Sequence, residues 1–390
     1  MRWRILAVDD DPDIGRQIKE LLQGRIKKGG DEIVIHTLQN FDDALGSLNT
    51  MLYDIIILDV FKGRPVPGNP ERAGEDILLD IKKRCFIPVI FYTALPSRVQ
   101  QYSSNLVKVV HKTTGGIRNL KKEVTALIKT GLPGINRCLI GHFGMIQAKY
   151  MWEFVEPNWQ DFSKTGDSKS LAYLLARRLA VSFSRENINN LISSLGGAAE
   201  QQSSGEDMVH PIEHYIWPAV SEQYRTGDIL FKKSGRRTSF YIILTPSCDL
   251  VKNEQRKVKC DNVIIAECVP LAKTEEAVKW SGQADINTEK AKSIKDNLGR
   301  FLKNRKKERY YFLPGTFFLP NLVVDMEAVY NIPFQNLRGF RKAATLDSPF
   351  AECLLNRFSR YMGRVGIPEL YDSEIERITG NLRNRKKKRK

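Results

Sequence analysis

Acidic side chains follow two of the short apolar segments in the first third of the sequence. Asp9 and Asp10 follow the segment RILAV, and Asp59 follows the segment DIIIL. If these segments are neighbouring parallel strands, the three carboxylates meet at one edge of a sheet, where they repel each other unless a hard divalent cation lies between them. Mg²⁺, which prefers oxygen ligands, is the expected ion. The pattern predicts a site for phosphoryl transfer.

The three carboxylates can be given different roles in such a site. Asp59 is the candidate nucleophile, which would become an aspartyl phosphate. Asp10 and Asp59 are candidate Mg²⁺ ligands together with a backbone carbonyl at Phe61, and Asp9 is expected to hold a metal-bound water. The metal would neutralise charge on the in-line phosphoryl group.

Two further side chains follow later apolar segments and complete the predicted site. Lys112 supplies a compact cation for the phosphoryl oxygens, and the Thr93 hydroxyl supplies a short neutral donor. Ala94, next to Thr93, is small enough to leave the approach open. The predicted catalytic set is therefore Asp59, Thr93 and Lys112.

Apolar segments that alternate with amphipathic ones predict the elements that position these residues. Strands buried on both faces of a parallel sheet are nearly continuous in apolar residues. Segments of this kind span residues 4–9, 33–37, 54–59, 87–92 and 106–110. Between them, residues 14–22, 41–51, 73–83 and 116–128 are amphipathic and each long enough for a crossover helix. The alternation predicts an α/β domain with a doubly wound parallel sheet.

The N-terminal third of the sequence resembles the receiver domain of response regulators. The resemblance covers about residues 2–130 and is carried by the motifs ILAVDDD, IIILDV, FYTA and VVHK, in the order of the family and at nearly its intervals. It implies a flavodoxin-like sheet with strand order 2-1-3-4-5. It also implies a two-component phosphorelay in which a partner histidine kinase and Mg²⁺ phosphorylate Asp59. A flavodoxin-like domain with incidental acidic residues is the alternative.

Three features depart from the receiver pattern. The loop after Asp59, FKGRPVPGNPERAG, is longer than is usual in the family. Val109 stands three residues before Lys112, at the position of a switching aromatic residue, and Thr113 follows Lys112 where the family has proline. These departures leave open a second interpretation, in which the receiver is not phosphorylated and serves as a docking platform for other proteins.

The rest of the chain is expected to form three further segments. A helical pattern follows residues 131–134 and ends at a glycine pair and a polar stretch, and β-branched and aromatic runs begin near Tyr224. The predicted organisation is a receiver at 1–132, a helical connector at 133–206, a β-rich output domain at 207–370 and a basic tail at 371–390. Because like charges are dense in the tail, it is predicted to be disordered.

One stretch of the β-rich region is similar to the opening hairpin of an SH3-like barrel. Residues 227–250 have the pattern of the PemK-type toxin fold, which carries an RNA-cleaving groove. In that interpretation Asp249 lies near Arg236 or Arg237, and the two side chains form an acid and electrophile pair for phosphodiester chemistry. Thr245 and Cys248 belong to the same cluster. A strand-end cap with a buried cysteine is the structural alternative.

Two other clusters in the second half have open interpretations. His210 and His214 are four residues apart, as zinc ligands on one helix would be, although Pro211 disfavours a helix through both. Residues 303–309 and the two tyrosines that follow interleave basic and aromatic side chains, as a nucleic-acid contact does. A solvated helix end that runs into a strand explains this segment equally well.

Composition and charge further limit the functions that the sequence allows. The 390 residues are 42% hydrophobic and 27% charged, which is typical of a folded globular protein, and the net charge of +16 is compatible with nucleic acid as a partner of the basic C-terminal half. No membrane span, signal peptide or CxxC pair is recognised, which predicts a cytoplasmic protein without membrane association. Helix-turn-helix, GGDEF, kinase and ATPase motifs are not recognised either. The sequence therefore predicts a response regulator with an output domain of open activity, compatible with a phosphorylation-dependent dimer.

Overall fold

The computed structural model describes most of the chain, which folds into two compact units. The described residues are 2–25, 31–60, 73–113, 115–165, 168–183, 187–188, 208–219, 223–251, 258–305, 308–364 and 369–387. The first unit spans Met1–Ser203 and the second Ser204–Lys390. Each unit has its own sheet. Within the described ranges, no helix is both long enough and apolar enough to cross a membrane.

The first unit contains a parallel sheet interleaved with helices. Its strands are β1 (Arg2–Val8), β2 (Gly24–Arg25), β3 (Glu32–Leu38), β4 (Ile55–Leu58), β5 (Val89–Thr93) and β6 (Val107–His111). Its helices in and around the sheet are α1 (Pro12–Leu22), α2 (Phe41–Thr50), α3 (Ala73–Arg84) and α4 (Gly116–Lys129). The order is β2-β3-β1-β4-β5-β6, with β2 pairing antiparallel to β3 over two residues. The five parallel strands therefore have the order 2-1-3-4-5, and the predicted flavodoxin-like topology is confirmed.

The central strands are buried on both faces, which explains their nearly continuous apolar sequence. Successive side chains of a strand point to opposite faces. Ile56 packs in the cluster that contains Ile77 of α3, whereas Ile57 packs with Ile18 of α1 and Leu120 of α4. The two faces of the sheet thus have separate cores, and each fully buried aliphatic side chain stabilises the fold by about 1.5–3 kcal/mol.

A side-chain cap fixes the beginning of α1. The Asp11 carboxylate accepts a hydrogen bond from the N–H of Asp13, and Pro12 occupies the first turn, where its missing N–H is tolerated. Because the helix begins at Pro12, Asp9 and Asp10 are left in the short connection at the carboxyl end of β1.

Further helices continue the first unit beyond the sheet. They are α5 (Leu132–Tyr150), a π-helical turn (Met151–Val155), α6 (Trp159–Thr165) and α7 (Ser168–Ser182). Gly131, with a φ of 73°, ends the preceding helix directly before α5 begins. α5 and α7 pack against each other, and Nε2 of His142 lies 3.3 Å from the carbonyl oxygen of Ser182. The helical pattern predicted after the sheet is present in the structure.

The second unit is built on a curled antiparallel sheet. Its strands are β7 (Tyr215–Ile216), β8 (Asp228–Ser234), β9 (Arg237–Ile243), β10 (Asn262–Pro270), β11 (Tyr310–Leu313), β12 (Leu322–Pro333) and β13 (Arg341–Leu346), in the order β11-β12-β10-β9-β8-β13-β7. Its helices are α8 (Ser247–Leu250), α9 (Glu275–Ser281), α10 (Glu289–Leu302), α11 (Phe350–Met362) and α12 (Asp372–Lys387). A β-rich second half is confirmed, whereas the likeness to an SH3-like barrel stays a prediction.

A buried ion pair joins β8 to β13. Asp228 is fully buried, and its carboxylate accepts hydrogen bonds from Lys342 Nζ at 2.8 Å and from the Thr345 hydroxyl at 2.5 Å. The N–H of Arg225 donates a third bond at 2.9 Å. A buried carboxylate is tolerated only when it is fully partnered in this way. The pair therefore holds β8 and β13 in one register.

The second unit differs from the sequence prediction in several elements. Neither β7 nor β13 is predicted, and α9 lies where no element is predicted. The basic tail at 371–390, predicted to be disordered, contains α12. The acidic first turn of α12, with Asp372 and Glu374, suits a helix N-terminus, and Arg377 pairs with Glu374 at 2.6 Å one turn later. These local charges oppose the repulsion within the basic run.

Candidate functional site

Three carboxylates converge at the carboxyl end of the parallel sheet. Asp9 and Asp10 follow β1 and Asp59 follows β4, and because these strands pair in parallel their ends lie side by side. Oxygen atoms of all three carboxylates lie within 4.8 Å of one another. Asp9 is buried, Asp59 is half-buried and Asp10 is exposed. The structure thus brings together the three acidic residues that the sequence predicts to meet.

Lys112 bridges two of these carboxylates. Its Nζ atom lies 2.7 Å from Oδ2 of Asp59 and 2.7 Å from Oδ2 of Asp9. It also lies 5.8 Å from the centroid of the Tyr92 ring, which covers it from the side of β5. Lys112 therefore pairs with the carboxylates of both Asp9 and Asp59.

Burial and neighbouring charges shift the pKa values of two groups in the site. Burial raises the pKa of Asp9 to about 6, against the hydrogen bond and charge of Lys112, and the negative charge of Asp59 adds to the rise. Burial alone would lower the pKa of Lys112, but its hydrogen bonds to Asp59 and Asp9 outweigh burial and raise it. The pKa of Asp9 rises beside a lysine because the cost of burying its charge outweighs the attraction of Lys112.

Backbone groups fix the orientation of the carboxylates. The N–H of Val60 donates to Oδ1 of Asp59 at 2.6 Å, and the N–H of Asp11 donates to Oδ1 of Asp9 at 3.1 Å. Gly74, in the first turn of α3, lies against the backbone carbonyl of Asp59, where a Cβ atom would overlap the carbonyl oxygen. Gly74 is not recognisable from the sequence, because the long loop hides its relation to Asp59.

Thr93 and Ala94 lie at the end of β5, beside Lys112. The carbonyl oxygen of Thr93 accepts the backbone N–H of Lys112 at 2.8 Å, and its buried hydroxyl accepts the N–H of Leu95 at 3.2 Å. Because Oγ1 acts as an acceptor in this bond, the hydroxyl hydrogen is available to an acceptor in the pocket. Nε2 of His111 lies 3.0 Å from the carbonyl oxygen of Ala94. Thr93 is therefore at the edge where it is predicted.

The structure describes two of the three departures from the receiver pattern, at Val109 and at Thr113, and only the end of the third, the long loop. Phe61 lies outside the described residues, as does most of the long loop, so its carbonyl ligand stays a prediction. Val109 is half-buried and packs against the apolar cluster that contains Phe91. The peptide bond between Lys112 and Thr113 is trans, since the cis bonds within the described ranges precede two prolines in the second unit.

The candidate residues of the second unit lie at the two ends of β9. Arg236 is exposed in the turn before the strand, and Thr245, Cys248 and Asp249 follow it. Seven residues at about 3.3 Å each separate the two ends by roughly 20 Å, so the structure does not bring Arg236 to Asp249. The Thr245 hydroxyl accepts the N–H of Ile264 at 2.7 Å, as a strand-end cap does. Cys248 is exposed, unlike the buried cysteine of the structural alternative.

The two histidines considered as zinc ligands have structural contacts. Nδ1 of His210 accepts the N–H of Ile212 at 3.3 Å and caps a short 3₁₀ helix. His214 stacks on Phe350 with the ring centroids 4.0 Å apart. Among the described residues, neither histidine belongs to a cluster of metal-ligating side chains. These contacts favour capping and packing over zinc binding.

Two side chains of the basic and aromatic segment, Arg309 and Tyr311, have structural contacts. Arg309 donates to both carboxylate oxygens of Asp325, at 2.8 and 2.7 Å, and pairs with Glu327 at 2.5 Å. Tyr311 is buried, and its hydroxyl donates to a backbone carbonyl. These contacts favour a helix end that runs into a strand over a nucleic-acid contact for these two side chains.

Comparisons with known proteins find similarity among solved structures. No protein-family model matches the sequence. No curated protein matches it significantly. The similar structures align with the N-terminal third and include the response regulator TrrA from Thermotoga maritima in complex with Mg(2+)-BeF, at 29% identity over 32% of this chain and 98% of that chain, with a TM-score of 0.24.

Two further receiver structures have the same extent of similarity. The receiver domain of the Francisella response regulator 1452 is 21% identical over 33% of this chain and 98% of that chain, with a TM-score of 0.24. A receiver-domain protein from Clostridium thermocellum is 23% identical over the same shares, also with a TM-score of 0.24. TM-scores of this size carry no functional conclusion, so the function has to rest on the residues and geometry of the site itself.

Proposed function

We propose that the first unit is a phosphoacceptor receiver, in which Asp59 takes a phosphoryl group from a partner histidine kinase in the presence of Mg²⁺. The observation that carries this proposal is the convergence of Asp9, Asp10 and Asp59 within 4.8 Å, with Lys112 Nζ 2.7 Å from Asp59. The second compact unit would be the output, controlled by the state of Asp59. This arrangement is that of a two-component response regulator.

The donor set suits Mg²⁺ better than a softer metal. All three acidic side chains offer carboxylate oxygens, the ligands that Mg²⁺ prefers. Asp10 and Asp59 would hold the ion with the carbonyl of Phe61, and Asp9 would bind one of its waters. Bound there, the ion supplies positive charge to the phosphoryl group during transfer. A divalent ion bound there would offset the mutual repulsion of the three carboxylates.

Asp59 is the carboxylate best placed to act as the nucleophile. Its Oδ1 is held by the N–H of Val60, so Oδ2 is the oxygen that faces Lys112. Attack of a carboxylate oxygen on the phosphorus of a phosphohistidine forms the new P–O bond while the P–N bond to the imidazole breaks. Lys112 would then bind the transferred oxygens, and the Thr93 hydroxyl would donate to one of them.

Intact-mass measurement of the full chain tests the proposal. Incubation with acetyl phosphate and Mg²⁺ should add one phosphoryl group, and Asp59→Asn should prevent the addition. Asp13→Asn is a matched control, because Asp13 is an exposed carboxylate on α1. Removal of Mg²⁺ by a chelator should stop labelling of the wild type. Equal labelling of the wild type and Asp59→Asn would refute Asp59 as the acceptor.

A second candidate function is docking without phosphorylation, and one observation favours it. Val109 is a half-buried aliphatic side chain packed against the core, so this position has no aromatic ring to follow a movement of Thr93. If docking is the function, protein isolated from cells carries no phosphoryl group, and Asp59→Asn leaves the cellular output unchanged. A phosphoryl group on protein from stimulated cells would exclude this alternative.

A further inference from the structure

A two-stranded hairpin extends beyond the sheet of the second unit. β8 pairs with β13 only as far as Phe231, and β9 pairs with β10 only as far as Phe240. Beyond these two residues the described strands pair only with each other, over three further residue pairs. At about 3.3 Å per residue, this part of the ribbon extends roughly 10 Å past the sheet. Residues 232–239 are called here the basic hairpin.

The basic hairpin ends in a tight turn. Ser234 pairs with Arg237, so Gly235 and Arg236 form a two-residue turn. Gly235 has a φ of 58°, in the left-handed region that favours glycine, and glycine at this position suits a turn that continues the twist of the two strands. A ribbon closed in this way loses little conformational entropy when it binds a partner.

The basic hairpin carries positive charge on both faces and at its tip. Because residues that pair across the ribbon share a face, Lys232 and Arg237 lie on one face. Lys233 lies on the other face, and Arg236 is in the turn. Arg341, at the beginning of β13, adds a further charge to the face of Lys233. All five residues are exposed, and in the part of the chain that the structure describes none of them pairs with a carboxylate.

Acidic residues are missing from the sequence around these charges. None occurs in residues 229–248 or in residues 328–346. The buried Asp228 is already paired with Lys342. Glu267, on β10 at the base of the hairpin, accepts a hydrogen bond from a tyrosine hydroxyl at 3.3 Å. One carboxylate does not neutralise five cations, so this surface favours a polyanionic partner.

The shape of the basic hairpin favours double-stranded DNA over an acidic protein. An acidic patch on a protein would meet the charges of one face, whereas a DNA groove has phosphates along both of its walls. The major groove of B-DNA admits a two-stranded ribbon, and its depth of about 8.5 Å is close to the length of the hairpin. The major groove of an RNA duplex is too narrow for such a ribbon.

We propose that the basic hairpin enters the major groove of double-stranded DNA. Lys232 and Arg237 contact the phosphates of one strand. Lys233 and Arg341 contact those of the other strand, and the turn faces the edges of the base pairs. The contact involves the second unit alone. It therefore goes beyond the proposed phosphorylation of Asp59 and does not depend on it.

Fluorescence anisotropy of a labelled DNA duplex of mixed sequence, titrated with the full chain, tests the proposal. The titration is made with and without acetyl phosphate and Mg²⁺, so that control by Asp59 cannot hide binding. The wild type should bind with a Kd between about 1 and 100 μM near physiological salt. Each phosphate contact contributes about 0.9 to the slope of log Kd against log salt concentration, so four contacts should give a slope of about 3–4.

Paired substitutions identify the hairpin as the contact. Lys233→Gln combined with Arg237→Gln should weaken binding roughly 10-fold or more and lower the salt slope by about 2. Lys290→Gln combined with Arg300→Gln is the matched control, because it removes the same charges from exposed positions on α10. Lys233→Arg combined with Arg237→Lys retains both charges and should bind as the wild type does. Because all these positions are exposed, each variant should unfold at the wild-type temperature.

Four outcomes would overturn the proposal. The first two are the absence of DNA binding under both conditions and an equal loss of affinity in the α10 control. The third is an RNA duplex of the same sequence that binds as tightly as the DNA, which would exclude entry into the major groove. The fourth is competition by polyglutamate as strong as that by unlabelled DNA of the same charge, which would assign the hairpin to an acidic protein instead.

Discussion

Nη1 of Arg137 lies 2.6 Å from Oδ2 of Asp54, and this ion pair attaches α5 to the edge of the sheet opposite Asp59. The same Nη1 donates to the carbonyl oxygen of Arg2 at 2.7 Å, and the guanidinium lies 5.1 Å from the Trp3 ring. Asp54 is buried at the entrance to β4, so its charge depends on these neighbours. α5 is therefore joined to the sheet by a buried charge as well as by chain connectivity.

Removing Arg137 should destabilise the first unit. We expect Arg137→Ala to lower the free energy of unfolding by about 3 kcal/mol, because the buried Asp54 carboxylate loses its counter-charge. Burial already raises the pKa of Asp54 in spite of Arg137. Urea denaturation at neutral pH measures the change, and adding Asp54→Asn should recover part of it. Arg118→Ala, at an exposed position on α4, should change stability by less than about 0.5 kcal/mol.

Removing Lys112 should separate metal binding from phosphorylation. Lys112→Ala removes the cation that pairs with Asp9 and Asp59, so we expect tighter binding of Mg²⁺ by calorimetry. The same variant should lose labelling by acetyl phosphate, because the lysine that would bind the phosphoryl oxygens beside the Mg²⁺ ion is then missing. Lys108→Ala, on the same strand, should alter neither. Mg²⁺ binding that weakens in Lys112→Ala would contradict the electrostatic account.

Gly74 should be as sensitive as the acidic residues, although it has no side chain. The Cβ atom of Gly74→Ala would overlap the carbonyl oxygen of Asp59 and displace the acceptor. We expect the labelling rate to fall roughly 10- to 100-fold, since a shift of about 1 Å is enough to disturb an in-line reaction. Gly46→Ala, on α2 with open space around the position, should leave the rate unchanged and stabilise the fold by about 0.5–1 kcal/mol.

Acid should weaken the second unit through Asp325. Burial alone would raise the pKa of Asp325, but the hydrogen bonds from Arg309 hold it below its ordinary value. The unfolded chain therefore takes up this proton first, and the stabilisation is full above about pH 4 and is lost as the pH falls further. Asp325→Asn should cost about 1 kcal/mol at neutral pH, because Arg309 is partly exposed, and the difference should vanish in acid. Asp296→Asn, at an exposed position on α10, serves as the control.

The parallel sheet could be predicted because its signals are local. Buried strands such as Ile55–Leu58 are continuous apolar runs, and the Asp11-Pro12 pair marks the beginning of a helix. The acidic cluster could also be predicted, since each member directly follows one of these runs. The contact of Gly74 with Asp59 could not, because it depends on the path of a loop whose length departs from the family.

The second unit resisted prediction where its contacts are distant in sequence. β13 has the sequence RKAATL, whose composition favours an exposed polar segment. In the structure Lys342 instead pairs with the buried Asp228, more than a hundred residues earlier in the chain. The predicted proximity of Asp249 to Arg236 is not found, although in this case the two residues are close in sequence. The strand between them is extended and holds them apart.

The position of β13 between β8 and β7 sets the order in which the second unit can be assembled during translation. β7 is synthesised first but pairs with β13, the strand that emerges last from the ribosome. Until then one edge of β8 has no neighbouring strand, and an unpaired strand edge can pair with another chain and lead to aggregation. The sheet of this unit can therefore be completed only after β13 has been synthesised, and slow elongation would prolong the time during which the edge of β8 is unpaired.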